Sequence, residues 1–314
     1  MKTVKKFRQL LVSVIIPVFN GTPYLEETVQ SVQKSTFRNF EILLIDDGSK
    51  DESKILCKTL EKKYKNIRFF AFPKNKGLGR VLNFALQKAR GKFICRLNQD
   101  DKMLPYRLKM QTDYFKKHKN TVALGSYIKI FDKNNKTEVV KYLKTDKEIK
   151  EIWHIVGPFY DSSVMYRKDT ALRVGGYDQD FWPADDTHLF YRLGLMGKLA
   201  NIDRPLVEVR FHDQAASIKH FRTLALSTYK MHMWADKNVG KASLPIRLFW
   251  FAELIAGILL PPHLNWFVYR IIKKIVNGYE ETKSFLTKNL VKSSIAKKVR
   301  NQPKRLSLSG VYNK

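Results

Sequence analysis

An α/β fold built on a Rossmann-like, mostly parallel sheet is what this sequence predicts, with a helical C-terminal extension directed at a membrane. Three observations predict it. Four short apolar runs alternate with three segments of helical periodicity between Val12 and Leu97, the pattern of a doubly wound sheet. Two of those runs end in adjacent carboxylates, Asp46-Asp47 and Asp100-Asp101. Beyond about Trp234 the chain changes character and becomes apolar, then basic.

The elements follow in order. Val12-Ser13-Val14-Ile15-Ile16 is β-branched and compact, as a buried parallel strand should be. After Pro17-Val18-Phe19-Asn20-Gly21, Thr22 and Pro23 read as an N-cap and first helical residue, and Leu25, Val29 and Val32 share one helix face. Phe40 to Ile45 is a second strand, and Asp51 opens a second helix. Ile67 to Phe72 is a third strand, followed by Asn75-Lys76-Gly77-Leu78-Gly79 and a helix through Asn83, Leu86 and Ala89. Phe93 to Leu97 is the fourth strand, and Pro105 fits the start of another helix. In such a sheet both acidic pairs stand at strand carboxyl ends and face one crevice, where α/β folds bind ligands. An acidic residue after the second strand suits hydrogen bonding to a nucleoside, and one or two carboxylates suit a divalent cation that also holds a diphosphate. A solvated, Asp-capped loop is the other reading of Asp100-Asp101.

At 314 residues with 44% hydrophobic composition, the chain has enough material for a full core. Cys57 and Cys95 lie in apolar patterns without metal-ligand spacing, which fits a reducing compartment. The formal charge of +29 implies an anionic partner, either nucleic acid or an acidic membrane face. Lys2, Lys5, Lys6 and Arg8 precede an apolar run that stops at Pro17 with no small-residue cleavage site, so this stretch reads as a first strand and not as a signal peptide. The first turn, PVFNG, lacks the Gly-x-Gly-x-x-Gly fingerprint and disfavours a dinucleotide enzyme. Gly77 and Gly79 fit a helix entry that needs small residues at least as well as a phosphate loop.

The runs VSVIIPVFNGTPYLEETVQSVQKSTFRNFEILLIDDGSKDES, NKGLGRVLN, LNQDD, VGGYD, PADDTHLFYRL and RFHDQAAS occur in that order over roughly the first 220 residues. Together they resemble the inverting family-2 glycosyltransferases of GT-A fold, the type that builds bacterial envelope polysaccharide. The resemblance implies a nucleotide sugar as donor, with a UDP-sugar expected. It also implies a saccharide or lipid-linked acceptor, Mg2+ or Mn2+ as cofactor, and single displacement with inversion. It sets Pro17, Val18, Asn20, Asp46, Asp47, Asn75, Gly77, Asn83 and Asp100 at the nucleotide, Asp101, Asp100 and His212 at the metal, and Asp186, with Asp185 beside it, at the acceptor as general base. Capping of the helix that starts at Asp185 is the other reading of that pair. Two positions depart from the pattern: Asn98 stands where the carboxylate motif usually begins, and Asp161 where many relatives carry histidine. Trp153, Phe159 and Trp182 flank the acidic pair and are candidates for stacking on sugar faces.

Leu248 to Leu260 is apolar apart from Glu253, too short for a simple membrane span, and Pro261-Pro262 ends it. Leu264, Phe267, Val268, Ile271, Ile272 and Ile275 then recur at helical spacing among Arg270, Lys273 and Lys274. An amphipathic hairpin lying in an anionic membrane surface is the expectation, against a helical pair packed on the catalytic domain. The predicted organisation is a GT-A domain over residues 1–235, a helical region over 236–280 and a basic tail over 281–314, peripheral on the cytoplasmic face of the cell membrane. A nucleotidyltransferase would need a Gly-rich triphosphate loop after the first strand, which PVFNG does not supply. A nucleic-acid binder rests on charge alone, with no recognised motif, so no nucleic-acid partner is expected.

Overall fold

The computed structural model describes residues 11–133, 136–211, 219–261 and 264. One mixed sheet of nine strands runs through the molecule in the order β3-β2-β1-β4-β8-β6-β9-β5, with β7 paired on β6. The strands are β1 (Val12–Val18), β2 (Phe40–Asp46), β3 (Ile67–Ala71), β4 (Phe93–Arg96), β5 (Lys102–Met103), β6 (Thr121–Phe131), β7 (Thr137–Val140), β8 (Met165–Arg167) and β9 (Lys198–Arg210). The first four are parallel, as the βα alternation requires. From β8 outward the sheet is mixed: β8 runs antiparallel to β4 and β6, and β9 runs parallel to β6.

Successive strand residues face opposite layers, and the two cores divide accordingly. Val12, Val14, Ile16, Ile42 and Leu44 pack on α1 (Leu25–Gln33), α2 (Ser53–Lys63) and α4 (Arg107–Lys117) through Val29, Val32, Leu60, Leu108 and Phe115. Ile15, Leu43, Ile45 and Ile94 face the other way, in one core with α3 (Leu78–Lys88), α5 (Asp146–Ile152), α6 (Lys168–Arg173) and α7 (Asp185–Met196). Each such side chain fully removed from water contributes about 1.5–3 kcal/mol.

Two expected helix starts are corrected. Thr22 and Pro23 form a turn, and α1 begins only at Leu25; the Thr22 hydroxyl instead donates to Asp51 Oδ2 at 2.7 Å. Asp51 accepts from the Ser53 amide at 3.0 Å, and α2 starts at Ser53. Both residues pin the loops after β1 and β2 to one another.

Where β8 joins β4 to β6, α4 satisfies backbone carbonyls at that junction. Arg107, fully buried, donates to the Arg96 and Val164 carbonyls at 3.1 and 3.3 Å, and Gln111 donates to those of Leu124 and Ser163, both at 2.9 Å. Unmet, these groups would each cost about 1–3 kcal/mol; met, they fix the end of β4 from which the acidic loop leaves.

Two further helices follow among the described residues, α8 (Phe221–Asn238) and α9 (Leu244–Leu259). The expected boundary at residue 235 therefore falls inside a helix. Ile246, Trp250 and Gly257 form the buried side of α9. The Trp250 ring stacks on His232 at 4.8 Å, and its indole N–H donates to the His154 carbonyl at 2.6 Å. Gly257 allows a close crossing, since a Cβ there would lie 2.3 Å from that of Ala225. The opposite side is bare: Leu244, Leu248, Phe251, Ile255, Ile258 and Leu259 are all exposed and fall within one stripe of the helix. Packing and exposure thus coexist on one helix. Among the described residues no helix is long and apolar enough to cross a membrane. The expected second amphipathic segment beyond Leu264, the basic tail and the N-terminal lysines lie outside the described residues.

Candidate active site

The carboxyl ends of β1, β2 and β4 converge, and short polar contacts lock their loops together. Gln99 ties the acidic loop to the first turn, accepting from the Phe19 amide at 2.9 Å and donating to the Phe19 carbonyl at 3.0 Å. Asn20, at φ 51°, donates its backbone N–H to the Ser49 hydroxyl and accepts on Oδ1 from the Lys50 amide, both at 2.9 Å. Asn tolerates this left-handed conformation better than most residues. Pro17 is half-buried, whereas the Val18 side chain is in the core, so its backbone alone faces the loops. Asp46 is buried, accepts from Ser49 through Oδ2 at 3.3 Å, and leaves Oδ1 without a hydrogen bond.

Asp47 uses both oxygens on backbone, accepting from Lys76 at 2.6 Å and Gly77 at 3.0 Å. Burial raises its pKa despite these bonds. Gly77 sits at φ +89°, where a side chain would be strained, and its amide is also within 3.1 Å of Asn75 Oδ1. Gly79 meets a different need: a Cβ there would stand 3.2 Å from Asp185 Oδ2. The glycine pair thus makes a helix entry that leaves room for Asp185. Asn83 pairs with the Tyr177 backbone in both directions, at 2.7 and 2.8 Å, and so fastens the turn that precedes α7.

Asp101 is 1% exposed. Its Oδ1 accepts from the Arg210 amide at 3.1 Å, while Oδ2 has no hydrogen-bond partner. Burial, then the charge of Asp100, raise its pKa well above the usual carboxylate range. Such an oxygen is costly unless a cation or proton satisfies it, so the pair fits a divalent ion. Among the described residues no cluster of three or more His, Cys, Asp or Glu side chains that could hold a metal ion exists. Arg210, at the end of β9, reaches the Asp100 carbonyl at 3.3 Å and pairs with Glu27. His212, two residues on, lies outside the described residues.

Beside this loop, Arg96 forms the centre of a second cluster. It is 3% exposed, pairs directly with Asp161, and has Asp186 at 4.0 Å. Asp186 starts α7 together with Asp185; its Oδ1 accepts from the Thr187 amide at 2.6 Å, and a quarter of the side chain remains exposed. Burial and then the Asp161 charge push its pKa up to about 7, against the pull of Arg96. Asp185 is buried and pushed up to about 6 by burial, with Oδ2 unpartnered. A partly exposed carboxyl held near neutrality is suited to accept a proton.

Of the flanking aromatics, Trp153 and Phe159 are buried in the core and cannot meet a sugar; Trp182 is half-buried. Arg96 and Gln99 went unsingled by sequence reasoning. A charge inside the apolar run FICRL was the available sign of the first.

Comparison with known proteins extends this picture. The sequence pattern of Glycosyl transferase family 2 matches residues 13–175, just over half of the chain. An uncharacterized glycosyltransferase of Rickettsia bellii is 30% identical over 67% of this chain, which spans only 31% of that protein. The amylovoran biosynthesis glycosyltransferase AmsE of Erwinia amylovora is 28% identical, covering 63% of this chain and 75% of AmsE. UDP-Gal:alpha-D-GlcNAc-diphosphoundecaprenol beta-1,3-galactosyltransferase of Escherichia coli is 27% identical over 82% of this chain and 92% of its own length. In fold, TarS of S. aureus in complex with UDP-GlcNAc superposes with a TM-score of 0.57 at 18% identity, over 79% of this chain and 81% of that one. A mannosyltransferase of Pyrobaculum calidifontis, PcManGT, in complex with GDP-Man and Mn2+, gives 0.57 at 16% identity, over 92% and 77%. The parallel half-sheet with its acidic loops, the mixed sheet beyond it and the extent of the sequence match make this chain a member of glycosyl transferase family 2, with the GT-A fold.

Proposed function

We propose that the protein transfers a sugar from a UDP-sugar to a hydroxyl of a saccharide or lipid-linked acceptor, by single displacement with inversion, in envelope polysaccharide synthesis. The observation that carries this is two unlike acidic sites on which Asp161 bears in common: a buried carboxylate with a bare oxygen, Asp101, and a near-neutral, partly exposed carboxyl, Asp186. Asp47, Asn20 and the backbone around Pro17 and Val18 form the nucleoside side, with Asp46, Asn75, Gly77 and Asn83 shaping it. Asp100 and Asp101, with His212, would hold Mg2+ or Mn2+, which neutralises charge on the departing diphosphate. Asp186 takes the proton of the acceptor hydroxyl as that oxygen bonds to the anomeric carbon and the bond to the diphosphate breaks. Turnover of a panel of nucleotide sugars tests the reading. Asp186→Asn should keep UDP affinity and lose about 10²–10⁴ in rate; near-full turnover at saturating acceptor would reject Asp186 as base.

The acceptor's setting follows from α9. Its bare apolar stripe, together with a C-terminal sequence rich in lysine and arginine, fits docking on the anionic cytoplasmic face of the membrane. Two weak signals, apolar insertion and charge, give stable docking where one does not.

A further inference from the structure

The geometry points to Asp161 as a positioning residue that holds Arg96 away from Asp186 and so leaves that carboxylate free to take the acceptor's proton. This rests on Asp186 being the base. Asp161 is fixed on three sides. Arg96 Nη1 pairs with its Oδ2, Asn98 Nδ2 donates to the same oxygen at 3.3 Å, and the Ser162 amide donates to Oδ1 at 2.6 Å. The Asn98 amide in turn donates to the Ser162 hydroxyl at 2.9 Å, which ties the β4 loop to the Asp161 turn. Arg96 is therefore committed to Asp161, and its distance to Asp186, 4.0 Å, is the outer limit of an ion pair.

One guanidinium serves three carboxylates here. Facing Asp186 are Arg96 from β4, Asp161 from the turn before β8, Asp185 from its own helix, and the Thr187 amide. Tyr177, from the turn before α7, also bears on Arg96. Were Arg96 free to close on Asp186, the bidentate, charge-assisted contact would make that carboxylate a weak base. With Asp161 in place, its own charge and the diversion of the cation both favour the protonated Asp186, against the pull that Arg96 still exerts. The two departures from the family pattern also meet here, since Asn98 supplies the amide that a carboxylate at that position could not.

The test is the pH profile of kcat/KM for the full chain. Asp161→Asn preserves shape, removes the charge and frees Arg96; the acidic limb should move down by about one pH unit or more, with UDP affinity unchanged. Asn98→Asp adds a charge that competes for Arg96 and should move the limb up, giving a second reading should Asp161→Asn fail to fold. A structural role alone moves neither limb. A folded, UDP-binding Asp161→Asn protein with an unmoved limb overturns the inference, as does an unmoved limb in Asn98→Asp. Should Asp186→Asn retain turnover, the base assignment falls first; should it be inactive while both limbs stay put, only the role of Asp161 falls.

Discussion

Replacing Asp186 by asparagine should make the protein more stable at alkaline pH while disabling it. In the folded protein this carboxyl is raised from 3.8 to about 7, chiefly by burial. A raised carboxyl contributes stability in full below its unfolded value and loses it as pH climbs through the folded one. Between about pH 5.5 and about pH 8.5 that loss comes to about 2 kcal/mol, at about 1.36 kcal/mol per unit. The neutral amide does not ionise, keeps an oxygen for the Thr187 amide, and leaves Asp185 with a smaller slope of its own. Urea unfolding at the two pH values, on both proteins, isolates the term, because every other titrating group is shared. Wild type should lose about 2 kcal/mol more than the variant over this interval. Parallel pH dependences would show that Asp186 is not held near neutrality, and the argument from Arg96 and Asp161 would go with it.

Three further outcomes follow from other parts of the molecule. Asp101→Asn should abolish the binding of Mn2+ measured by calorimetry with UDP present, since the bare Oδ2 becomes an amide; unchanged metal affinity would remove Asp101 from the metal site. Gly257→Ala should cost about 1–3 kcal/mol through overpacking against Ala225, read as a fall of several degrees in Tm; an unaltered melt would mean α8 and α9 do not cross this closely. Leu248→Asp with Phe251→Asp should leave UDP binding intact and prevent flotation with anionic vesicles at low salt, and a wild-type protein that fails to float would refute docking.

Local order was legible in the sequence because it depends on nearest neighbours. The β-branched runs Val12 to Ile16 and Phe40 to Ile45 alternate with helical periods, and period fixes which residues face inward. The acidic pairs at strand ends marked the crevice for the same reason. Two helix starts were misread because Thr22 and Asp51 look like caps to the chain that follows them, whereas in the fold each is the other's partner across 29 residues. The mixed half of the sheet had no local signature, since β8 is three residues long and is defined by what it pairs with. The state of the site belongs wholly to tertiary structure. Sequence put Asp186 on a helix start and left capping and catalysis open; burial, and then the approach of Asp161 and Arg96 from a turn and a strand 25 and 90 residues away, bear on its charge. The same holds for α9, whose composition allowed both packing and membrane contact: Trp250 and Gly257 meet the domain on one side, and Leu248 and Phe251 face outward on the other. Burial and charge proximity act through space, and a sequence records only the separation along the chain.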